Sequence, residues 1–418
     1  MHSGDEMDGA DCSAKPSDQG LFRHGSPTAR WLGVLIAGVL TVAAGLGLPR
    51  LPHDWAMRVL SPGWMPHQIV QLLEFSHDIQ VALLAERPDK PHPKIALVLI
   101  TDETLAALPY ITPVDRDLIA RLVKSLDDLG ARSIGLDILF DQATEPEKDT
   151  ALLMRFKLTR AALVLGGADE RTPLSARRRI WQDNFLTRTG RPKGFFNLRY
   201  DVREAALTHV IRSRAAPAPG SIFKMSFAEA LARSAGVERV PDNRRIPWVR
   251  SPPDGETFLT LDADAILAAA KKPDGVLSMA LENQIHGRIV LVGVDLLDRD
   301  RHPTPLSVVE GGDMLGVAIH AQILAGVLDG RTLDELNQHS IAVLGALAAL
   351  FGVLIGWFAA RRKLVVTLLI GAGTLAMVGL SLLVLWQFRA IVPIAVLVAT
   401  LVAAAMVARF IRTYVVRA

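Results

Sequence analysis

The stretch "LDDLGARSIGLDILFD", residues 126–141, sets the fold. It closes a helical pattern in which Leu118, Ile119, Leu122, Val123, Leu126 and Leu129 share one face. Gly130 supplies the residue that commonly ends a helix in left-handed backbone. The run that follows is continuously apolar rather than alternating, which marks a strand buried on both faces. Two carboxylates interrupt it. Asp137 falls inside the run and Asp141 at its end. An ionised carboxylate in a core is costly unless paired. Asp137 is therefore expected to have a buried partner and to serve the fold, and Asp141 to lie nearer a functional edge.

The same pattern recurs outward from this stretch. "KIALVLIT" (94–101), "AALVLGG" (161–167) and "GRIVLVGVD" (287–295) are further continuous apolar strands. A helix opens at Thr112-Pro113, with proline in its first turn. Another covers about residues 148–157. The order is β-α-β-α-β, so the fold class is α/β: a mostly parallel, right-handed sheet with helices on its faces. Residues 168–218 are rich in Arg and Pro and read as irregular, with "SARRR" (175–179) a solvated surface rather than an anion patch. "SFAEALARSAG" (226–236) is a helix, "IPWVRSP" (246–252) a strand, and residues 315–328 a closing helix. Residues 66–84 have helical apolar spacing and link this domain to what precedes it.

Half of the 418 residues are hydrophobic, enough for such a domain and several membrane spans besides. "WLGVLIAGVLTVAAGLGL" (31–48) is uncharged and reaches the minimum spanning length. A cleavable signal peptide is the alternative, but an acidic segment of about thirty residues precedes the run, unlike a short basic leader. Three further runs, 341–360, 364–386 and 391–408, close the chain. Basic residues flank the spans at Arg23 and Arg30, at Arg361 to Lys363, and at Arg409, Arg412 and Arg417. The positive-inside rule then puts both termini in the cytoplasm and residues 49–337 outside. The expected organisation is a cytoplasmic tail (1–30), one span, an exported domain (49–337), three spans within 338–410, and a tail (411–418) in a bacterial inner membrane. In the second span Ala348, Gly352, Gly356 and Ala360 recur every four residues on one face. Such a face admits a close helix, from the same bundle or from a second chain.

The net charge of +3 is small and dispersed, which gives no footprint for nucleic acid. A single cysteine, Cys12, excludes an intramolecular disulfide and zinc sites built on paired cysteines. The sequence has no phosphate loop ending in Lys-Ser/Thr, no G-x-S-x-G elbow and no H-E-x-x-H helix. The chain is not expected to be an enzyme, and no metal or cofactor is expected.

Four stretches together resemble a known family. "KIALVLITDETLAAL", "DRDLIARLVKSLDDLGARSIGLDILFD", "IHGRIVLVGVDLLDRDRHPTPL" and "MLGVAIHAQILAGVLDGRTL", followed by three spans, are similar to the CHASE2 domain over about residues 60–408. The resemblance implies an extracytoplasmic sensor module of bacterial transmembrane receptors. "ITPVDRD" departs from the family's Trp-Pro-x-Arg pattern, and "SHDIQ" from its arginine-rich juxtamembrane run. Family members continue into a kinase or cyclase, whereas this sequence stops ten residues after the last span. The expectation is a sensor that signals through a partner protein or a second copy. The alternative is a structural or assembly subunit of an envelope complex.

Ligands of open α/β sheets bind outside the carboxyl ends of strands. Asp102, Asp141 and Asp295 each follow an expected strand, and Asp298, Asp300 and His302 extend the last one. These six are the candidate ligand contacts, for a small cationic ligand or a divalent ion. Helix capping and pairing with Arg132, Arg299 or Arg301 is the competing reading. His320, on an apolar helix face, is expected to be a satisfied core histidine.

Overall fold

The computed structural model describes residues 67–106, 108–200, 210–242, 244–296 and 300–415. The apolar run at 31–48 and the candidate contact Asp298 lie outside the described residues. The chain divides into two compact units, one of His53–Asn337 with Ala376–Ala395, the other holding Gln338–Leu375 with Val396–Ala418.

The first unit is built on six parallel strands: β1 (Ile95–Thr101), β2 (Ser133–Leu136), β3 (Ala162–Gly167), β4 (Lys193–Phe195), β5 (Leu259–Asp262) and β6 (Ile289–Asp295). Their order is β4-β3-β2-β6-β1-β5, and every pairing is parallel. The last strand in sequence is thus inserted between the first two. Side chains alternate across the sheet. Ala96, Val98 and Ile100 enter one core with Ile134, Leu136, Val290 and Val292, while Ile95, Leu97, Leu99, Ile289 and Leu291 enter the other. Double burial of this kind explains why these strands read as unbroken apolar runs.

The helices of this unit are α1 (His67–Leu84), α2 (Arg116–Asp128), α3 (Pro146–Leu158), α4 (Ala176–Thr189), α5 (Phe227–Ser234), α6 (Ala263–Ala270), α7 (Val276–Ile285) and α8 (Gly316–Leu328). Residues of α2, α3, α4, α6 and α7 fill the first core, and those of α5 and α8 the second.

Several local expectations need correction. Helix α2 starts at Arg116, not at Pro113, because the Asp115 side chain accepts the Asp117 and Leu118 amides at 2.8 and 3.0 Å. The Thr112–Pro113 bond is cis. The segment read as irregular contains α4 and β4. Ser175 caps α4 and left-handed Gly190 ends it. Residues 175–178 are exposed, as expected of a solvated surface, although two of the arginines also make contacts within the chain. Arg178 pairs with Asp141, and Arg179 donates to the Ala168, Asp169 and Thr172 carbonyls. Residues 246–252 do not join the sheet. Instead the buried Gln322 side chain holds Val249 at both its amide (3.0 Å) and its carbonyl (2.7 Å).

In the second unit lie α9 (Gln338–Phe358), the start of α10 (Lys363–Phe388) and most of α11 (Ile394–Phe410). The helices Gln338–Phe358 and Lys363–Phe388, and α11 with the turn that continues it to Tyr414, are long and apolar enough to cross a membrane. The small-residue stripe is occupied within the chain. A Cβ at Gly352 would collide with the Leu401 carbonyl and Ala404, and one at Gly356 with Ala405 and Ala408. The end of α10 and the turn after it belong to the first unit. Ser381 there donates to Gln80 of α1 at 2.6 Å, and Ala390–Ile391 pairs with Asp334–Glu335.

Candidate functional site

A hollow of about 260 Å³ opens at the carboxyl ends of β2 and β6. Its lining includes Asp137, Asp300, Gly316 and His320, with an apolar wall containing Leu139, Phe196, Leu198, Val294 and Leu296. Each polar member arrives by a different route.

Asp137 continues β2 by one residue. Its amide donates to the Val292 carbonyl at 2.8 Å, and the chain then leaves the sheet. Its carboxyl group has no hydrogen bond or ion pair among the described residues, so the expected buried partner is absent there. Burial, and then the charge of Asp300, hold its pKa well above the usual carboxylate range.

Helix α8 forms the roof. Gly293 of β6 lets it come down onto the sheet, because a Cβ at that position would stand 2.6 Å from the Val317 Cβ. Gly316 and His320 are four residues apart and hence on one helix face. His320 is only 3% exposed. Its Nε2 lies 3.1 Å from the Phe196 carbonyl, which can only accept, so this nitrogen carries the proton. Its Nδ1 is buried without a partner. Burial lowers its pKa to about 4, and the ring is neutral in ordinary buffers. The ring also meets Phe227 edge to face, with centroids 5.5 Å apart.

Asp300 forms the rim, with its side chain about half exposed. Its φ of 54° places it in left-handed backbone, which Asp tolerates better than most residues. Its carbonyl accepts the Gly316 amide at 2.9 Å. Its carboxylate rests against the first turn of α8, where a negative charge is favoured. His302 Nε2 contacts Asp300 Oδ1 at 3.0 Å, and a short bridge to Met314 ties His302 back to the start of α8.

The other expected contacts lie elsewhere. Asp102 is exposed at the head of the single turn Asp102–Ala106. Asp141 is buried against Arg178. Asp295 pairs with Arg301 at 2.8 Å. The three strands are neighbours, with β6 between β1 and β2, but the side chains are engaged apart: Asp102 opens an exposed turn, Asp141 lies five residues past the end of β2 against Arg178, and Asp295 is held by Arg301. Asp137 and Asp141 thus hold the opposite environments from those expected: Asp141 is the paired one, and Asp137 faces the hollow. Among the described residues no three His, Cys, Asp or Glu side chains are grouped to hold a metal ion. Sequence reasoning missed Gly316; it placed His320 in the core, where the ring is indeed buried, but one ring nitrogen is left without a partner. The Gly-to-His spacing in "LGVAIH" was the available signal.

A family model described as CHASE2 domain matches residues 55–360. No curated protein and no solved structure matches the chain.

Proposed function

We propose that this chain, which belongs to the CHASE2 domain family, is a membrane-anchored receptor that reads a small molecule in the strand-end hollow and passes its state to a partner protein. The observation that carries this reading is the buried, unpartnered Nδ1 of His320 on the hollow wall, beside the Asp137 carboxyl group. A group of that kind is retained at a cost unless a ligand completes it. The hollow also lies where open parallel sheets take their ligands, beside the strand inserted between the first two. In this reading the domain faces outward from a bacterial inner membrane, both termini are cytoplasmic, and the protein binds without catalysing a reaction. Arg361, Arg362 and Lys363 between α9 and α10 support that orientation.

Grafting a kinase output module onto the full chain tests the receptor reading. Output should change with the small-molecule content of the medium, and Leu198→Trp, which fills the hollow, should abolish the change. An output indifferent to that substitution overturns the proposal. Reporter fusions after Lys15 and Arg417 should report cytoplasm, and one at Gly220 the exported side. Export of the C-terminal fusion overturns the orientation.

The assembly-subunit reading has one observation in its favour. Val276, Leu277 and Met279 stand exposed together on α7. If replacing all three by Ser broke a co-purifying envelope complex while leaving output intact, that reading would be preferred.

A further inference from the structure

We infer that the hollow takes a small organic ammonium ion carrying a short apolar body. The inference rests on the receptor reading and names its ligand class. Among the described residues, the charged or ionisable side chains lining the hollow are Asp137, Asp300 and His320, and no Lys or Arg lines it. The proton of His320 is used on the Phe196 carbonyl, so the ring offers the unpartnered Nδ1 only as an acceptor. A site made of acceptors selects a donor, and two carboxyl groups select a cation.

Size and wall fix the rest. A hollow of about 260 Å³ lies just below the range that holds drug-sized ligands, so the ligand is smaller. Leu139, Phe196, Leu198, Val294 and Leu296 offer hydrocarbon rather than oxygen. A divalent metal ion needs about six oxygen ligands, which this wall does not supply. An ammonium group suits the acceptors Asp137, Asp300 and His320 Nδ1, and its carbon chain suits the apolar wall.

Binding should also release a proton. The groups facing Asp137 are Asp300, with His302 behind it, and His320 from α8. The residues after β4 that reach the hollow, Phe196 and Leu198, do not titrate. The empty hollow therefore favours protonated Asp137, and a bound cation favours its ionised form.

The test is calorimetric titration of the full chain in lipid nanodiscs with n-butylammonium, butyrate, n-butanol and calcium, in two buffers of different ionisation enthalpy. The expected result is saturable binding of n-butylammonium alone, with net proton release. Asp137→Asn and Asp300→Asn should each weaken it by about tenfold or more, the loss of one charge-assisted contact. Leu198→Trp should remove it. Equal binding of butyrate or n-butanol, or binding of calcium instead, overturns the ammonium assignment but leaves the hollow as a binding site. So does an n-butylammonium response that both Asn variants retain. Binding that survives Leu198→Trp lies outside the hollow and overturns the inference, as does the absence of any n-butylammonium binding. The receptor reading fails separately, through a kinase output that ignores the filled hollow.

Discussion

The Asp300 carboxylate lies so close to Gly316 that a Cβ on that glycine would stand 2.5 Å from Oδ2. The rim of the hollow and the first residue of its roof are therefore fitted to each other. Gly316→Ala should displace the Asp300 loop and cost about 1–3 kcal/mol, the usual range for overpacking. Thermal unfolding of the full chain in detergent would measure it. Gly311→Ala is not an adequate control, because Gly311 has left-handed backbone. Gly255→Ala meets open space and should be near neutral.

Asp137→Asn should stabilise the empty protein, in a manner that depends on pH. The folded state holds the Asp137 proton to a higher pH than the unfolded chain does. Stability is thus lost as the pH rises from the ordinary value of 3.8 through the raised one. The variant should match wild type near or below pH 3.8 and exceed it at neutral pH. The gain is the cost of ionising a carboxyl group beside Asp300 in this setting, which the uncharged Asn does not incur. Denaturant unfolding at several pH values would show it, and a variant less stable than wild type at pH 7 would contradict it.

His320 produces the opposite limb. Its folded pKa of about 4 lies below the ordinary 6.5. The stability linked to its neutral form is present above pH 6.5 and lost as the pH falls through about 4. His320→Gln carries its amide N–H about as far from the backbone as the imidazole Nε2, so it keeps a donor for the Phe196 carbonyl but does not titrate. It should flatten the acid limb between those values while lowering stability at pH 7.

The stripe on α9 should prove to be packing within the chain. Gly352→Leu and Gly356→Leu each push a side chain into the backbone of α11. Each should cost about 1–3 kcal/mol. Gly371→Leu and Gly379→Leu on α10 point into open space and should leave stability unchanged. Melting of the full chain in detergent separates the two pairs. Four equal effects would mean that α9 and α11 do not meet along this stripe.

The parts of the fold legible in the sequence were those with one repeated physical signal. Strands β1, β2, β3 and β6 are continuous apolar runs because both faces are covered, and the membrane helices announce themselves by length. Helix α4 escaped because much of its surface is polar and few of its residues are buried. Strand β5 escaped because it is a four-residue edge strand that is only partly buried. The site was half legible. Asp137 stood out as a charge in an apolar strand, and "DRDRH" as a polar loop after another. Their meeting depends on β6 pairing with β2, with Leu136 opposite Val292, and no local pattern encodes that register.

The position of β6 has a consequence for how the chain comes to be folded at all. Strands β1 and β2 are made early but do not pair with each other, and the strand that joins them arrives at residues 289–295. Until that segment has been synthesised, both expose an unfilled apolar edge, the kind of surface that seeds aggregation. The sheet must then close over contacts about two hundred residues apart, which makes folding slow. In translation without membranes, a ribosome-bound chain that ends before residue 289 should therefore be captured by holding chaperones, and one that extends past residue 328 should be released from them.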